Sequence, residues 1–457
     1  MAACIALYAI YHYAVGVRVL GAGGKLGSEF RPHPDGDTFD YGERVRFSFD
    51  SPVLPKSFHY HIDPQTPSSA HIRRPGFLEL EFRKVPGIRY TITIDSDTRS
   101  IDGANLHTPY VYHVTTMPDV VIPAPARVLP REPYRYGVLM HPWMHWSDPA
   151  ESAQMIDLLA RARMDFVRFD FVGTAIEPSR GVYDFTVYDS VIERLRARNI
   201  TMLPVVLQYN APTWATHGRP YPALWDSPRE FARYAAAIAA HLHLKYPTIS
   251  RIELFNEPNT RAPNWWSASD DTSVTSDGTG TAAYMKAAYA AIKAVYPKVR
   301  VVGPSLASGG DHTDSRQFLT TLYREGCHAG TCWDILSVHN YDWEDPTVNV
   351  DASIDPRFDV YKDLQAIARE NGDPTPHVMI TEWGYSTANV DVGFDPRVQA
   401  RYIALGLNRA LADPTIDGIA YVSLQSSSDA FWDDTGLVAK SGEPKPGFYA
   451  FSAFAPK

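Results

Sequence analysis

Two glutamates in this chain are spaced and flanked in a way that could do chemistry. Glu257 stands in "LFNEPN", residues 254–259, and Glu382 in "ITEWG", residues 380–384. Each follows an apolar run and precedes a ring residue, Pro258 or Trp383. Two facing carboxylates can break a glycosidic bond. The protonated one hands its proton to the leaving oxygen; the ionised one attacks the anomeric carbon or activates water. Each raises the other's proton affinity, so one can keep its proton near neutral pH. The alternative is a pair of rim glutamates bonded to Arg or Lys. The surrounding residues favour chemistry. Arg168 in "VRFDF" could keep the Glu382 carboxylate charged, His339 and Tyr341 in "SVHNY" could hydrogen-bond it, and Asn256 could hold a sugar hydroxyl beside the reacting carbon.

For residues this far apart to meet, the chain must bring many strand ends to one place. After Tyr134, apolar runs such as "YGVLMHP", "FVRFDF", "MLPVVLQY", "IELFNEP", "VRVVGPS", "DILSVHNY", "VMITEWG" and "GIAYVSLQ" alternate with segments of helical spacing. Apolar runs without alternation suit parallel strands buried on both faces. Eight of them predict an α/β fold, a (β/α)₈ barrel whose active site lies at the C-terminal ends of the strands. Asn256 and Glu257 would end the fourth strand, where Pro258 stops the ladder because it cannot donate a backbone hydrogen bond. His141, Trp143, Arg168, Asp170, Gln208, Tyr209, His339, Tyr341, Glu382 and Gln425 then gather on one rim.

Before Tyr134 the pattern is different. "RVRFSF", "FLELEF", "RYTITI" and "YVYHVTT" alternate apolar and polar residues between turns, which predicts a small antiparallel, Ig-like β-sandwich. The expected organisation is an apolar N-terminal segment over 1–24, a sandwich over 25–126, a linker over 127–133 and a catalytic barrel over 134–457. "VVIPAPARVLPREP" holds four prolines and reads as a stiff connection. The first segment lacks the basic start of a standard signal peptide. It is expected to be a secretion signal, an anchor or its remnant, and residues 1–20 a possible point of membrane association, with a buried strand or helix as the alternative.

The 457 residues carry a net charge of −9 and no long basic run, which argues against a nucleic-acid partner. Cys327 and Cys332 flank "HAGT" and either close a small disulfide loop or remain two thiols. "HPWMH" offers two histidines without a third ligand, so neither a metal nor a cofactor is expected. With 10 Trp and 26 Tyr, the chain has ample material for stacking on sugar rings as well as for packing.

Together "NEP" and "TEWG" resemble the motifs of glycoside hydrolase clan A, the retaining (β/α)₈ glycosidases. "EPSRGVYDF" resembles the stretch that follows their second strand, and "SVHNY" and "GLVAKSGEPKPGFYAF" also fit. The resemblance covers about 134–457. It points most closely to family 39 and exopolysaccharide-associated bacterial relatives, with family 5 cellulase-type enzymes as neighbours. It implies that Glu257 is the general acid/base and Glu382 the nucleophile, with Asn256 on the 2-hydroxyl and Arg168, His339 and Tyr341 around Glu382. His141, Trp143, Gln208, Tyr209, Trp214 and Trp432 are expected to bind substrate, with Trp146, Trp265 and Trp266 as further cleft candidates. Many clan members carry Trp at the end of strand eight; here "SLQSSSDAFW" puts Gln425 and serines there, so either Trp432 swings in or the site is more polar.

The expected activity is hydrolysis of β-glycosidic bonds in a carbohydrate partner, a polysaccharide or oligosaccharide. Endo action is favoured, a bacterial exopolysaccharide is a candidate polymer, and the location is secreted, periplasmic or membrane-anchored. The competing readings are an exo-acting β-xylosidase, a non-catalytic polysaccharide-binding barrel and a phosphate-handling barrel. "QSSSD" is a poor anion site for the last of these.

Overall fold

A computed structural model describes residues 19–26, 29–32, 34–39, 44–74, 76–126, 132–140, 149–216, 224–260, 278–308, 314–341, 358–373, 376–387, 394–426 and 434–454. The N-terminal strands are β1 Val19–Leu26, β2 Glu29–Pro32, β3 Thr38–Phe39, β4 Arg44–Phe49, β5 Tyr60–Asp63, β6 Ser68–Arg74, β7 Phe77–Phe82, β8 Arg89–Ile94 and β9 Tyr110–Thr116. They form two sheets, β2-β1-β4-β7-β6 and β3-β9-β8-β5. Alternation decides what lies between them: Val45, Phe47 and Phe49 from β4 meet Tyr90, Ile92 and Ile94 from β8 in one apolar core. The sandwich expected from period-two patterning is present, with one departure, since β3 pairs with β9 in parallel. β1 begins inside the apolar stretch expected as a separate terminal segment and pairs with β4, so residues from Val19 onward belong to the sheet.

The barrel strands are β10 Tyr136–Met140, β11 Phe166–Phe171, β12 Thr201–Val206, β13 Arg251–Leu254, β14 Arg300–Ala307, β15 Ile335–His339, β16 Val378–Glu382 and β17 Ile416–Tyr421. They close in sequence order, β17 pairing back to β10, and every pairing is parallel. The intervening helices start where the sequence supplies caps. Ser227 accepts from the Glu230 N–H at the head of Pro228–Lys245, and Asp314 and Asp395 do the same for Ser315–Arg324 and Pro396–Ala412. Outward residues such as Val167, Phe169, Ile252 and Leu254 pack under these helices. Inward residues Phe166, Leu203, Val302, Ile335 and Met379, with Tyr134 and Ala420, plug the barrel floor. The polar layer sits above this plug.

Residues 121–126 run along the helix Pro396–Ala412. Arg401 donates to the Val121 carbonyl at 2.8 Å, and Asn408 bonds Ala124 and Ala126. Lys445, just before the helix Pro446–Ser452, donates to Thr387 Oγ1 at 3.0 Å and to the Asp434 carbonyl at 2.6 Å. That ties the segment after β16 to the one after β17. Cys327 and Cys332 are bonded to each other. Among the described residues no helix is long and apolar enough to cross a membrane.

Candidate active site

The fourth strand ends at Leu254, earlier than its apolar run suggests. Phe255 then takes φ +71° and Glu257 φ +45°. Left-handed backbone is costly for a bulky side chain, and it persists where neighbours hold it. Here the neighbour is Gln208. Its amide accepts from Asn256 N–H at 2.9 Å and donates to Asn256 C=O at 2.6 Å, taking the place of a ladder partner. Glu257 N–H donates to the Ser305 carbonyl at 3.1 Å. The turn sends the Phe255 ring outward against Phe231, 5.3 Å between centroids. Asn256 meanwhile faces Arg168 and Glu257 faces His339 in the barrel mouth.

A different device aims Glu382. Met379 lies inside the barrel, so plain alternation would turn Thr381 inward and Glu382 toward the helices. The pairing with β15 slips instead: Val338 faces Ile380, and His339 faces Glu382. This one-residue bulge re-aims the carboxylate into the mouth, a recurring use of bulges beside active sites.

The two glutamates meet at one imidazole. His339 Nδ1 lies 2.8 Å from Glu257 Oε1 and 3.4 Å from Glu382 Oε2. The ligand atoms of the three side chains all fall within 4.8 Å of one another. That matches the short carboxyl separation of retaining glycosidases, ~5–5.5 Å, and not the ~6.5–9.5 Å of inverting ones. His339 is fully buried and its Nε2 has no partner among the described residues, so Nδ1 is the ring atom that faces both carboxylates.

Glu382 is held from two further sides. Arg168 NH1 donates to Oε1 at 2.6 Å and the Tyr341 hydroxyl to Oε2 at 2.5 Å. Both donors favour the ionised carboxylate. Burial pulls the Arg168 pKa down, but Glu253 and Glu382 push it up and the net direction is upward. Burial, then the charges of Glu382 and Glu257, push the Tyr341 phenol well above its ordinary value, so it remains a donor. Arg168 NH2 donates to Asn256 Oδ1 at 2.8 Å, which leaves the Asn256 amino group, 3.5 Å from the Tyr209 hydroxyl, as a donor toward the mouth.

Three ligand-type atoms this close have the spacing a metal ion requires. Both Glu382 oxygens, however, already accept from Arg168 and Tyr341, and the guanidinium would repel a second cation. The arrangement suits proton transfer and nucleophilic attack.

Of the residues singled out in the sequence, Arg168, Tyr209, Asn256, Glu257, His339, Tyr341 and Glu382 come together. His339 serves both glutamates and lies nearer Glu257 than the Glu382 it was expected to support. Gln208 was expected on the substrate, but it is buried and spends both amide atoms on the Asn256 backbone. Trp214 was expected to line the cleft; its N–H donates to the Glu177 carbonyl at 3.0 Å, its ring meets Trp225 edge-on, and the Arg233 guanidinium lies 5.4 Å from it. Those contacts hold one side of the half-buried ring. Gln425 lies beyond the end of β17 and donates to the Lys440 carbonyl at 3.1 Å. His141, Trp143 and Trp432, with Trp146, Trp265 and Trp266, lie outside the described residues. Sequence reasoning missed Glu253, fully buried on β13 and bonded to Arg168. A carboxylate inside the apolar run "IELF" was the available sign.

The family model of cellulase (glycosyl hydrolase family 5) matches residues 134–425, more than half of the chain. Among solved structures, a family 39 glycoside hydrolase from Bacteroides cellulosilyticus WH2 is similar, with TM-score 0.53 and 17% identity, covering 95% of this chain and 82% of that one. A family 5, subfamily 18 protein from Streptomyces cattleya in complex with GlcNAc gives 0.55 and 16%, covering 72% and 83%. A monomeric β-xylosidase from Caulobacter crescentus CB15 gives 0.51 and 20%, covering 72% and 69%. At these identities the likenesses speak for the fold. No curated protein matches the chain in sequence. The motifs pointed most closely to family 39, which stands among the similar structures, and the matching model is that of its neighbour. With its two carboxylates close together in the mouth of the barrel, the chain belongs to the cellulase family, glycosyl hydrolase family 5, and is a retaining glycoside hydrolase of clan A.

Proposed function

We propose that the enzyme cleaves β-glycosidic bonds by double displacement, with Glu382 as nucleophile and Glu257 as general acid and then base. The observation that carries this reading is the shared imidazole: both carboxylates face His339 Nδ1, and Glu382 is also held by a cation and a phenol. Glu382 is thereby fixed in place for attack. Glu257, whose Oε1 faces the same imidazole, carries the proton to the leaving oxygen. Asn256 donates to the hydroxyl next to the anomeric carbon. A non-catalytic barrel would have no need to hold two carboxylates in this arrangement.

The substrate we infer is an extended β-linked polysaccharide cleaved internally, with a secreted bacterial polymer as a candidate. The abundance of aromatic residues supports a long cleft. The likeness to a β-xylosidase supports an exo-acting enzyme as the second reading. The Cys327–Cys332 bond supports a location outside the reducing cytoplasm, secreted or periplasmic. Membrane attachment through residues 1–20 is part of the same proposal.

A reducing-end assay with product profiling on a panel of β-linked polysaccharides tests this. Internal cleavage yields a ladder of oligosaccharides; release of single sugars from one end would establish the exo reading. Glu382→Gln should abolish turnover on every substrate. Glu257→Ala should spare substrates with good leaving groups and be partly rescued by azide. Reversed behaviour of the two variants would overturn the assignment of roles.

A further inference from the structure

We propose that Glu253 is a positioning residue for the nucleophile: it fixes the Arg168 guanidinium so that NH1 meets Glu382, and it withholds part of that cation's field from the reacting carboxylate. The inference rests on the reading of Glu382 as nucleophile.

The geometry divides one cation between two anions. Arg168 Nε donates to Glu253 Oε2 at 2.7 Å, and NH2 reaches Glu253 Oε1 at 3.4 Å and Asn256 Oδ1 at 2.8 Å. NH1 is left for Glu382 Oε1 at 2.6 Å. Glu253 is fully buried beneath this layer, so it does not touch substrate. It is itself fixed: the Ser305 hydroxyl donates to Oε1, and Ser305 Oγ meets Ser337 Oγ at 2.8 Å. Ser305 is held in turn by a left-handed backbone, φ +57°, and by its N–H on Ser337 Oγ at 2.7 Å. A planar fork pinned on one side can present its remaining N–H groups in only one direction.

The electrostatic consequence follows from charge alone. A carboxylate facing an undivided cation ionises at lower pH and is correspondingly less basic. A second anion on the same cation raises the proton affinity of the first. Arg168 also feels Asp170. The other titratable groups facing Glu382 are Tyr341, His339 with Glu257 behind it, and Tyr209. Each of these persists when Glu253 is neutralised, so a change in Glu382 reports on Glu253.

The test is the pH profile of kcat/KM for the full chain, on the activated aryl β-glycoside that the wild type turns over fastest. With a good leaving group the acid limb reports ionisation of the nucleophile. Glu253→Gln should move that limb down by about one pH unit. It should also lower the plateau about tenfold, because a less basic carboxylate attacks more slowly. A purely structural Glu253 would lower the melting temperature and the active fraction but leave the limb in place, and that result overturns the proposal. Should Glu253→Gln fail to fold, Ser305→Ala decides. It keeps both charges, removes one donor from Glu253 and should move the limb upward by a few tenths of a unit; an unmoved limb overturns the proposal there too. Glu382→Gln on the same substrate separates the two layers of argument. If it retains turnover, the nucleophile is misassigned. If it is inactive while the limb of Glu253→Gln stays put, only the role of Glu253 falls.

Discussion

The Tyr341 hydroxyl donates to Glu382 Oε2 across 2.5 Å, from a phenol pushed well above its ordinary pKa by burial and by the two neighbouring glutamates. The ring therefore stays protonated through any workable assay range and stabilises the charged form of Glu382. Tyr341→Phe removes that donor. A hydrogen bond to a charged group contributes about 1.5–3 kcal/mol, so the acid limb of kcat/KM should rise by about one pH unit or more. An unmoved limb would mean that Arg168 and His339 set the ionisation of Glu382 without this hydroxyl.

Asn256 gives its carbonyl oxygen to Arg168, and its amino group donates to the Tyr209 hydroxyl at 3.5 Å. Asn256→Asp preserves the shape and the bond to Arg168 but loses that donor. We expect kcat to fall at least a hundredfold, about 3 kcal/mol or more, with a smaller change in KM, because the contact strengthens in the oxocarbenium-like transition state. Measuring kcat and melting temperature on one preparation decides the matter. A near-normal kcat would reduce Asn256 to scaffold.

Gln208 satisfies both backbone groups of Asn256. Gln208→Leu leaves a buried N–H and a buried C=O without partners, at about 1–3 kcal/mol each. The left-handed turn at Phe255 and Glu257 would lose its brace. Denaturant unfolding should show a loss of about 2–6 kcal/mol, and kcat should drop with it. A stable, fully active variant would show that the Glu257–Ser305 backbone bond suffices to hold the turn.

Burial pulls the Lys445 pKa from the ordinary 10.5 down to about 8, with Arg83 adding to the effect and Asp434 opposing it. Above about pH 8 the folded chain has begun to release this proton, while the unfolded chain keeps it until about 10.5. The unfolded state then binds more protons, so this group makes the fold more stable as pH rises through that window. Below it both states are protonated and the burial penalty is complete. Lys445→Met should therefore gain most over the wild type at pH 7, by up to about 3 kcal/mol less the two lost hydrogen bonds. The advantage should shrink toward pH 10. Paired unfolding curves at the two pH values check it, and a constant difference would refute it.

The barrel was legible because its strands are apolar throughout and its helices carry caps such as Ser227 and Asp395. That Glu257 and Glu382 belong together was legible because each interrupts an apolar run next to a ring residue. How they are aimed was not. Periodicity gives no sign of the slip at Thr381 or of the reversed φ at Phe255, since both depend on what the neighbouring strands offer. Gln208 was misread for a related reason: a polar residue at a strand end looks the same whether it faces ligand or backbone. Glu253 was passed over because its partner, Arg168, lies two strands away and no local pattern links them.

The slip between β15 and β16 also bears on how this strand can vary over generations. The direction of Glu382 is encoded in a count of residues, not in the identity of any one of them. Losing the single position at Thr381 would restore an even ladder and point Glu382 at the helices, with every catalytic side chain still in the chain. Thr381 is fully buried, so a substitution of matching volume there would keep the direction of Glu382, whereas a change of length would not.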